Sequence, residues 1–349
     1  MKPFRVLVGY ALASSLCLSS AGAMAQVITE FTDGLSDGAH PLSIVAGPDG
    51  NLWFTEYNGG DQIGRITPEG VITEFADGIA NGAQPFGIAA GPDGNLWFTE
   101  QSSNFGINRV ARITTSGVVT EFTSGITQFA HPTFITAWSD GNLWFTEDLG
   151  NAIARITVSG AVTEFADGIC KPSSCPPFGA TPTGIAAGPD GNLWFTELNN
   201  NRIGRLMPNG AISTYGVGIS PGSSPFAIAA GPDGNMWFTE NTGNRIGRIT
   251  PAGVITEFSA GISPDARLFG ITAGPDGNIW FTEQFANQIG RITPDGVVTE
   301  FSDGLSVDAN PSGITPGPDG NLWFAEAGGG IGRITTGVPS GVIFMDGFD

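Results

Sequence analysis

The chain of 349 residues is 40% hydrophobic and 10% aromatic but only 13% charged, with 53 Gly and 24 Pro. That much Gly and Pro beside 24 Phe points to a packed, turn-rich all-β protein and away from a low-complexity chain. Lys and Arg total 14 against 33 Asp and Glu, a formal charge of -19, which excludes nucleic-acid binding through a basic face and attraction to an anionic membrane.

The first 25 residues read as a signal peptide. Lys2 and Arg5 form the positive segment, Val6 to Leu18 the apolar one, and Ala23-Met24-Ala25 the small-residue cleavage pattern before Gln26. Export to the periplasm or the exterior is expected. No later apolar run is long enough to span a bilayer. Cys17 leaves with this segment, and Cys170 and Cys175 are expected to close a small disulfide loop in an oxidising compartment.

Residues 26–336 form one repeating domain. Trp-Phe-Thr-Glu recurs at Trp53, Trp97, Trp144, Trp194, Trp237 and Trp280, and as Trp-Phe-Ala-Glu at Trp323, in steps of 43 to 50 residues. Each repeat opens on an apolar strand such as Phe86-Gly87-Ile88-Ala89-Ala90 and turns through Gly-Pro-Asp-Gly-Asn into the Trp strand. An Ile-Gly-Arg-Ile-Thr strand, a Pro-x-Gly turn and a Thr-Glu-Phe strand follow. Four short strands with Asp-Gly and Pro-x-Gly turns, repeated seven times, predict a seven-bladed β-propeller. One Glu-Phe strand, Thr29-Glu30-Phe31, precedes the first blade, and none follows Arg333. The N-terminal strand is therefore expected to complete the last blade and leave no open edge. Residues 337–349 are surplus to the ring, an extra edge strand or a sorting tail.

A ligand without sevenfold symmetry cannot need the same residue seven times, so positions that break the repeat are the better functional candidates. The Glu that ends each second strand, from Glu56 to Glu326, is the exception to weigh. It reads either as a carboxylate crown for a hard cation or as the partner of a neighbouring loop amide or Arg, such as Arg65, Arg155, Arg205, Arg248, Arg291 or Arg333. At the start of the innermost strands, Leu42, Phe86, Thr133, Thr183, Phe226, Phe269 and Ser312 should surround the channel mouth as a mixed pocket wall or pack between blades. The two His, His40 and His131, stand on the rim as acid/base candidates or solvated loop residues, where other repeats have Gln84, Thr181, Ser224, Arg267 and Asn310. Further departures are the 101–110 loop with Phe105 and Arg109, Trp138 in place of a turn Gly, and Tyr57 and Phe285 after the Trp strands. Arg109 and Arg267 could each receive a carboxylate. No nucleophile elbow occurs.

The units Gly-Pro-Asp-Gly-Asn-Leu-Trp-Phe-Thr-Glu and Asn-Arg-Ile-Gly-Arg-Ile-Thr resemble those of the streptogramin B lyase (virginiamycin B lyase) family over essentially the whole mature chain. The resemblance implies a seven-bladed propeller that opens cyclic depsipeptides by Mg²⁺-dependent elimination. A cation would polarise the ester while a base removes the proton α to its carbonyl. The family's last blade begins Glu-Pro-His-Gly-Ile, where this chain has Asn310-Pro311-Ser312-Gly313-Ile314. Its preceding blade has Arg-Pro-His-Ala-Ile, against Arg267-Leu268-Phe269-Gly270-Ile271 here. Of that signature Glu326 is retained, with Glu283 as a second candidate metal ligand, and His40 or His131 would have to supply the acid/base. The expectation is an exported, monomeric propeller that binds a small molecule or protein on the loop face through Phe86, Phe226, Phe269, Ser312, Asn310, Arg267 and Arg109. The alternative is a Mg²⁺-dependent carbon–oxygen lyase or a related lactone- or ester-opening enzyme.

Overall fold

The computed structural model describes residues 26–58, 60–102, 108–169 and 179–338. Residues 1–25, where a signal peptide is expected, Cys170, Cys175, Phe105 and the residues after 338 lie outside the described residues. Among those described, 28 strands form seven four-stranded antiparallel sheets, and no helix is long and apolar enough to cross a membrane. The first blade is Pro41–Ala46, Leu52–Glu56, Gln62–Ile66 and Ile72–Phe75, ordered from the axis outwards. In the last blade Ile28–Phe31 pairs with Gly330–Ile334, with Ile28 opposite Ile334 and Phe31 opposite Ile331. The ring closes as the strand count predicts.

The second strand of every blade is buried along its whole length, because its two faces meet two different blades. Trp53 packs forward on Leu96 and Phe98 of the next blade, while Leu52 and Phe54 pack back on Trp323. Burial of so large a side chain makes each Trp worth about 3–5 kcal/mol against Ala. Its indole N–H donates to the Asp of the preceding turn, as Trp53 does to Asp49 at 3.0 Å and Trp280 to Asp276 at 2.9 Å. Burial opposes ionisation of Asp49, but hydrogen bonds from Asn51 and Trp53 outweigh it and hold the carboxyl below its usual range. The third-strand Gly has a packing reason: a Cβ on Gly64 would stand 2.0 Å from the Phe54 ring.

Hydroxyls stitch one blade to the next. Thr55 Oγ1 donates to the Phe86 carbonyl at 2.9 Å and Thr146 to Thr183 at 2.6 Å. The last blade has Ala325 in place of this Thr, and there Ser312 Oγ reaches the Leu42 carbonyl at 2.9 Å instead. The outer strands add a second stitch: the Glu74 carboxylate accepts from Ser36 N at 2.7 Å, and Glu30 accepts from Ser306 N at 2.6 Å and from its hydroxyl.

Candidate functional site

Innermost strands begin, and second strands end, at one rim of the ring, which defines the mouth face. The second-strand Glu carboxyls sit just under it, 0% exposed from Glu56 through Glu283 and 3% exposed at Glu326. Arg65, Arg155, Arg205, Arg248, Arg291 and Arg333, the Arg named in one of the two sequence readings, do not pair with them; Glu100 and Glu240 lie beside Arg109 and Arg245 instead, at 3.4 and 3.7 Å, and Glu197 accepts from the Asn200 amide. Register explains why: Trp53 stands opposite Arg65, whereas Glu56 stands opposite Gln62 at the far end of the strand pair. The Arg side chains stack instead on the Trp, all but Arg155 also meeting an outer Phe or Tyr, as Arg65 does at 5.6 Å from Trp53 and 5.4 Å from Phe75.

Six of the seven inner Glu face the carboxyl of an outer-strand Glu. Burial is the main force raising Glu56 to about 8, Glu147 to about 9, Glu283 to about 9 and Glu326 to about 8, and the charges of Glu74, Glu164, Glu300 and Glu30 add to it. Glu100 and Glu240 likewise rise to about 8 despite Arg109 and Arg245 nearby. In the fourth blade the outer position is Thr214, Asn200 Nδ2 donates to Glu197 Oε2 at 2.9 Å, and burial raises Glu197 only to about 7. The crown is thus largely protonated at neutral pH, each acid except Glu197 turned towards an outer carboxylate.

That arrangement does not suit Mg²⁺. Glu326 Oε1 is buried without a partner, which alone would favour a cation. Yet the neighbouring Glu30 carboxylate is already taken by Ser306, and Ser312 Oγ contacts the carbonyls of Pro41, Leu42 and Ala325 at 2.9–3.3 Å. Among the described residues no three His, Cys, Asp or Glu side chains converge as a cation site, at Glu326, at Glu283 or elsewhere.

The mouth itself is aromatic. Phe86, Phe226 and Phe269 are half-buried there. Phe134 joins them, its ring 5.2 Å from Phe86 and 5.6 Å from Phe226, passing the inner strand of the fourth blade. Phe226 and Phe269 lie 4.7 Å apart, and Tyr57 meets Phe86 edge-on at 5.4 Å. Phe134 also lines an axial cavity of about 210 Å³, walled by Ile44, Ile88, Ile185, Ile228, Ile271 and Ile314. Phe129, Leu149 and Phe285 are exposed on the same face. Leu42, Thr133, Thr183 and Ser312 are buried instead; Ser312, 0% exposed, is a stitch between blades and not a wall residue.

The other candidates divide. Arg109 is committed, 3.4 Å from Glu100 and 3.2 Å from Glu121. Arg267 is exposed and stacks over Phe285 at 4.9 Å, and Asn310 Nδ2 donates to the Asp308 carbonyl at 2.7 Å. His40 is exposed, its Nδ1 2.7 Å from the Ala327 carbonyl. His131 Nδ1 lies 2.7 Å from Asp148 Oδ1, both side chains being about four-fifths buried. Burial, then the charge of Asp148, raises the Tyr57 hydroxyl, so this His–Asp pair borders the aromatic mouth. Sequence reading missed Asp148 and Phe134. The latter had a signal: the other repeats carry Ser43, Gly87, Gly184, Ala227, Gly270 and Gly313 at its position.

The sequence model of the Virginiamycin B lyase family matches residues 18–215 and 166–343. A solved streptogramin B lyase structure is 35% identical, with a TM-score of 0.79, over 90% of this chain and 99% of that one. A catalytically inactive virginiamycin B lyase from Staphylococcus aureus, solved with quinupristin, is 36% identical, with a TM-score of 0.78, over 89% and 99% of the two chains. No curated protein matches.

Proposed function

The chain belongs to the virginiamycin B lyase family, and from that premise we propose that it is an exported, monomeric binding propeller for a bulky, ring-bearing apolar ligand. The carrying observation is the half-buried array of Phe86, Phe134, Phe226 and Phe269 above the axial cavity. Aromatic faces and edges at one mouth bind rings with little ordering cost, since the Phe side chains already hold one another in place. The family member solved with quinupristin supports a ligand of that kind. Where the family's signature has two His, this chain has Phe269, which adds an apolar ring to the mouth, and Ser312, a buried stitch between blades, and neither side chain is an acid/base near neutrality.

Calorimetric titration with quinupristin, alongside chromatographic detection of ring opening, tests this with Mg²⁺ present and with EDTA. Saturable binding unaffected by EDTA and no linear product is the expected result. Absence of binding overturns the proposal, and linear product replaces it with the second reading.

That second reading, a carbon–oxygen lyase or related ester-opening enzyme, is favoured by the His131–Asp148 pair. Asp148 would hold the proton on Nδ1 and leave Nε2, which has no partner among the described residues, to take the proton α to the ester carbonyl. Its mark would be turnover that disappears in His131→Gln.

A further inference from the structure

On the face opposite the mouth, the seam between the third and fourth blades differs from its equivalents. In six repeats the turn before the Trp strand starts with Gly, where a Cβ would lie 2.3–2.5 Å from the Trp ring at Gly47, Gly91, Gly188, Gly231, Gly274 and Gly317. The third blade has Trp138 there. Its ring meets Trp144 edge-on at 5.3 Å, and the bond from its N–H to the Asn142 carbonyl is 3.1 Å, against 2.7 Å for Gly47 to Asn51.

The seam opens around this residue. A Cβ on Gly70, Gly117, Gly160, Gly253 or Gly296 would stand 2.2–2.5 Å from the outer aromatic ring of the preceding blade, but on Gly210 it would stand 3.7 Å from Phe165. The resulting cleft, about 360 Å³, is lined by Trp138, Asp140, Trp144, Arg155, Phe165 and Gly210.

Arg155 is left without its usual partners. Arg65, Arg112, Arg205, Arg248 and Arg333 each donate to a turn carbonyl of the next blade, at 2.8–3.3 Å. Arg291 instead keeps an ion pair with Asp276 at 3.9 Å. Arg155 has neither among the described residues and keeps only its stacking on Trp144 at 5.9 Å; its Nε is buried and unpartnered, as are those of Arg65, Arg205 and Arg291, so the free terminal nitrogens are what distinguish it. The carboxylate of Asp140 accepts from Asn142 N and Trp144 Nε1 and forms no ion pair with it.

We propose that this cleft is a second ligand site, independent of the mouth, which takes a small planar organic carboxylate. The guanidinium receives the carboxylate in the fork geometry that Arg favours, and the ring body lies between Trp138 and Phe165. The outward charge of the protein opposes anions in general, so the local cation and the aromatic walls must act together, and binding weakens with added salt.

The probe is indole-3-acetate, with indole-3-acetamide as its uncharged counterpart, titrated by calorimetry and by shifts of the Trp138 indole N–H resonance. Saturable binding of the acid, at least about tenfold tighter than the amide, is expected, with a similar loss in Arg155→Gln. Trp138→Gly with Ser139→Pro restores the Gly-Pro of the other blades, so it should fold and abolish binding. Arg248→Gln, which removes a stacked guanidinium elsewhere in the ring, should leave affinity unchanged. Equal binding of acid and amide overturns the proposal, as does no saturable binding at millimolar probe, or full affinity in the restored double variant.

Discussion

Glu283→Gln puts the acid crown to a direct test. In the folded protein Glu283 is raised by burial, and secondarily by Glu300, from 4.5 to about 9. A group raised on folding binds more protons in the native than in the unfolded state, so stability is greatest below the unfolded value. It falls as pH climbs from 4.5 towards 9 and levels off above. At 1.36 kcal/mol per pKa unit, the loss from this one residue between pH 5 and pH 8 is about 4 kcal/mol, a ceiling that water entry and relaxation lower. Gln has the same shape, remains neutral and can donate its amide N–H to Glu300, so it avoids the loss. Urea unfolding followed by Trp fluorescence should find the variant more stable than the parent by about 2–4 kcal/mol at pH 8 and by less than about 1 kcal/mol at pH 5. Glu197, which has no facing outer carboxylate and rises only to about 7, should give a smaller gain as Glu197→Gln, with a ceiling of about 3.4 kcal/mol that levels off above pH 7. Equal differences at both pH values, or a less stable Glu283→Gln at pH 8, would refute the protonated crown.

Three further outcomes follow from the same geometry. Glu30→Ala removes both bonds to Ser306 at the ring closure and should cost about 1–3 kcal/mol, whereas deletion of residues 26–31 should abolish a single cooperative transition in calorimetry. Asp233→Ala leaves the buried Trp237 indole N–H without its acceptor at 3.0 Å and should lower stability by about 1–3 kcal/mol, read as a fall in Tm. Phe226→Ala takes away the ring that contacts both Phe134 and Phe269, and quinupristin affinity should fall about tenfold or more by titration calorimetry.

The blade count and the closure were legible because they depend on period and turn chemistry, which one chain displays openly. What failed was inference from stoichiometry. Seven Glu and a matching set of Arg suggested pairs, but three residues of strand rise separate Trp53 from Glu56, and antiparallel register sends Arg65 to the Trp end. Ser312 failed for a related reason. Its hydroxyl looked like a departure at the channel mouth, yet it compensates for the methyl of Ala325 on the adjacent strand, two changes that are one only in three dimensions. Asp148 could not be tied to His131 from spacing, since their contact spans a loop-to-loop junction at the rim.

The repeat supplies its own control at every position, and the structure shows where departures cluster. His131, Phe134, Trp138, Asp148 and Arg155 all belong to the third blade. The first, second and fourth of these border the mouth, and Trp138 and Arg155 border the opposite cleft. A sheet buried on both faces transmits side-chain size to its neighbours, because a close-packed seam cannot absorb an added indole without opening elsewhere. Six blades held to the scaffold wording can tolerate one seam that departs from it. The loosened seam stays closed near the mouth through the Thr146–Thr183 stitch and the shared core of Ile153, Ile185 and Phe195. The uniform blades thus carry the close packing of the ring, and the irregular third blade contributes a side chain or more to both proposed sites, Phe134 at the mouth and Trp138 and Arg155 at the opposite cleft.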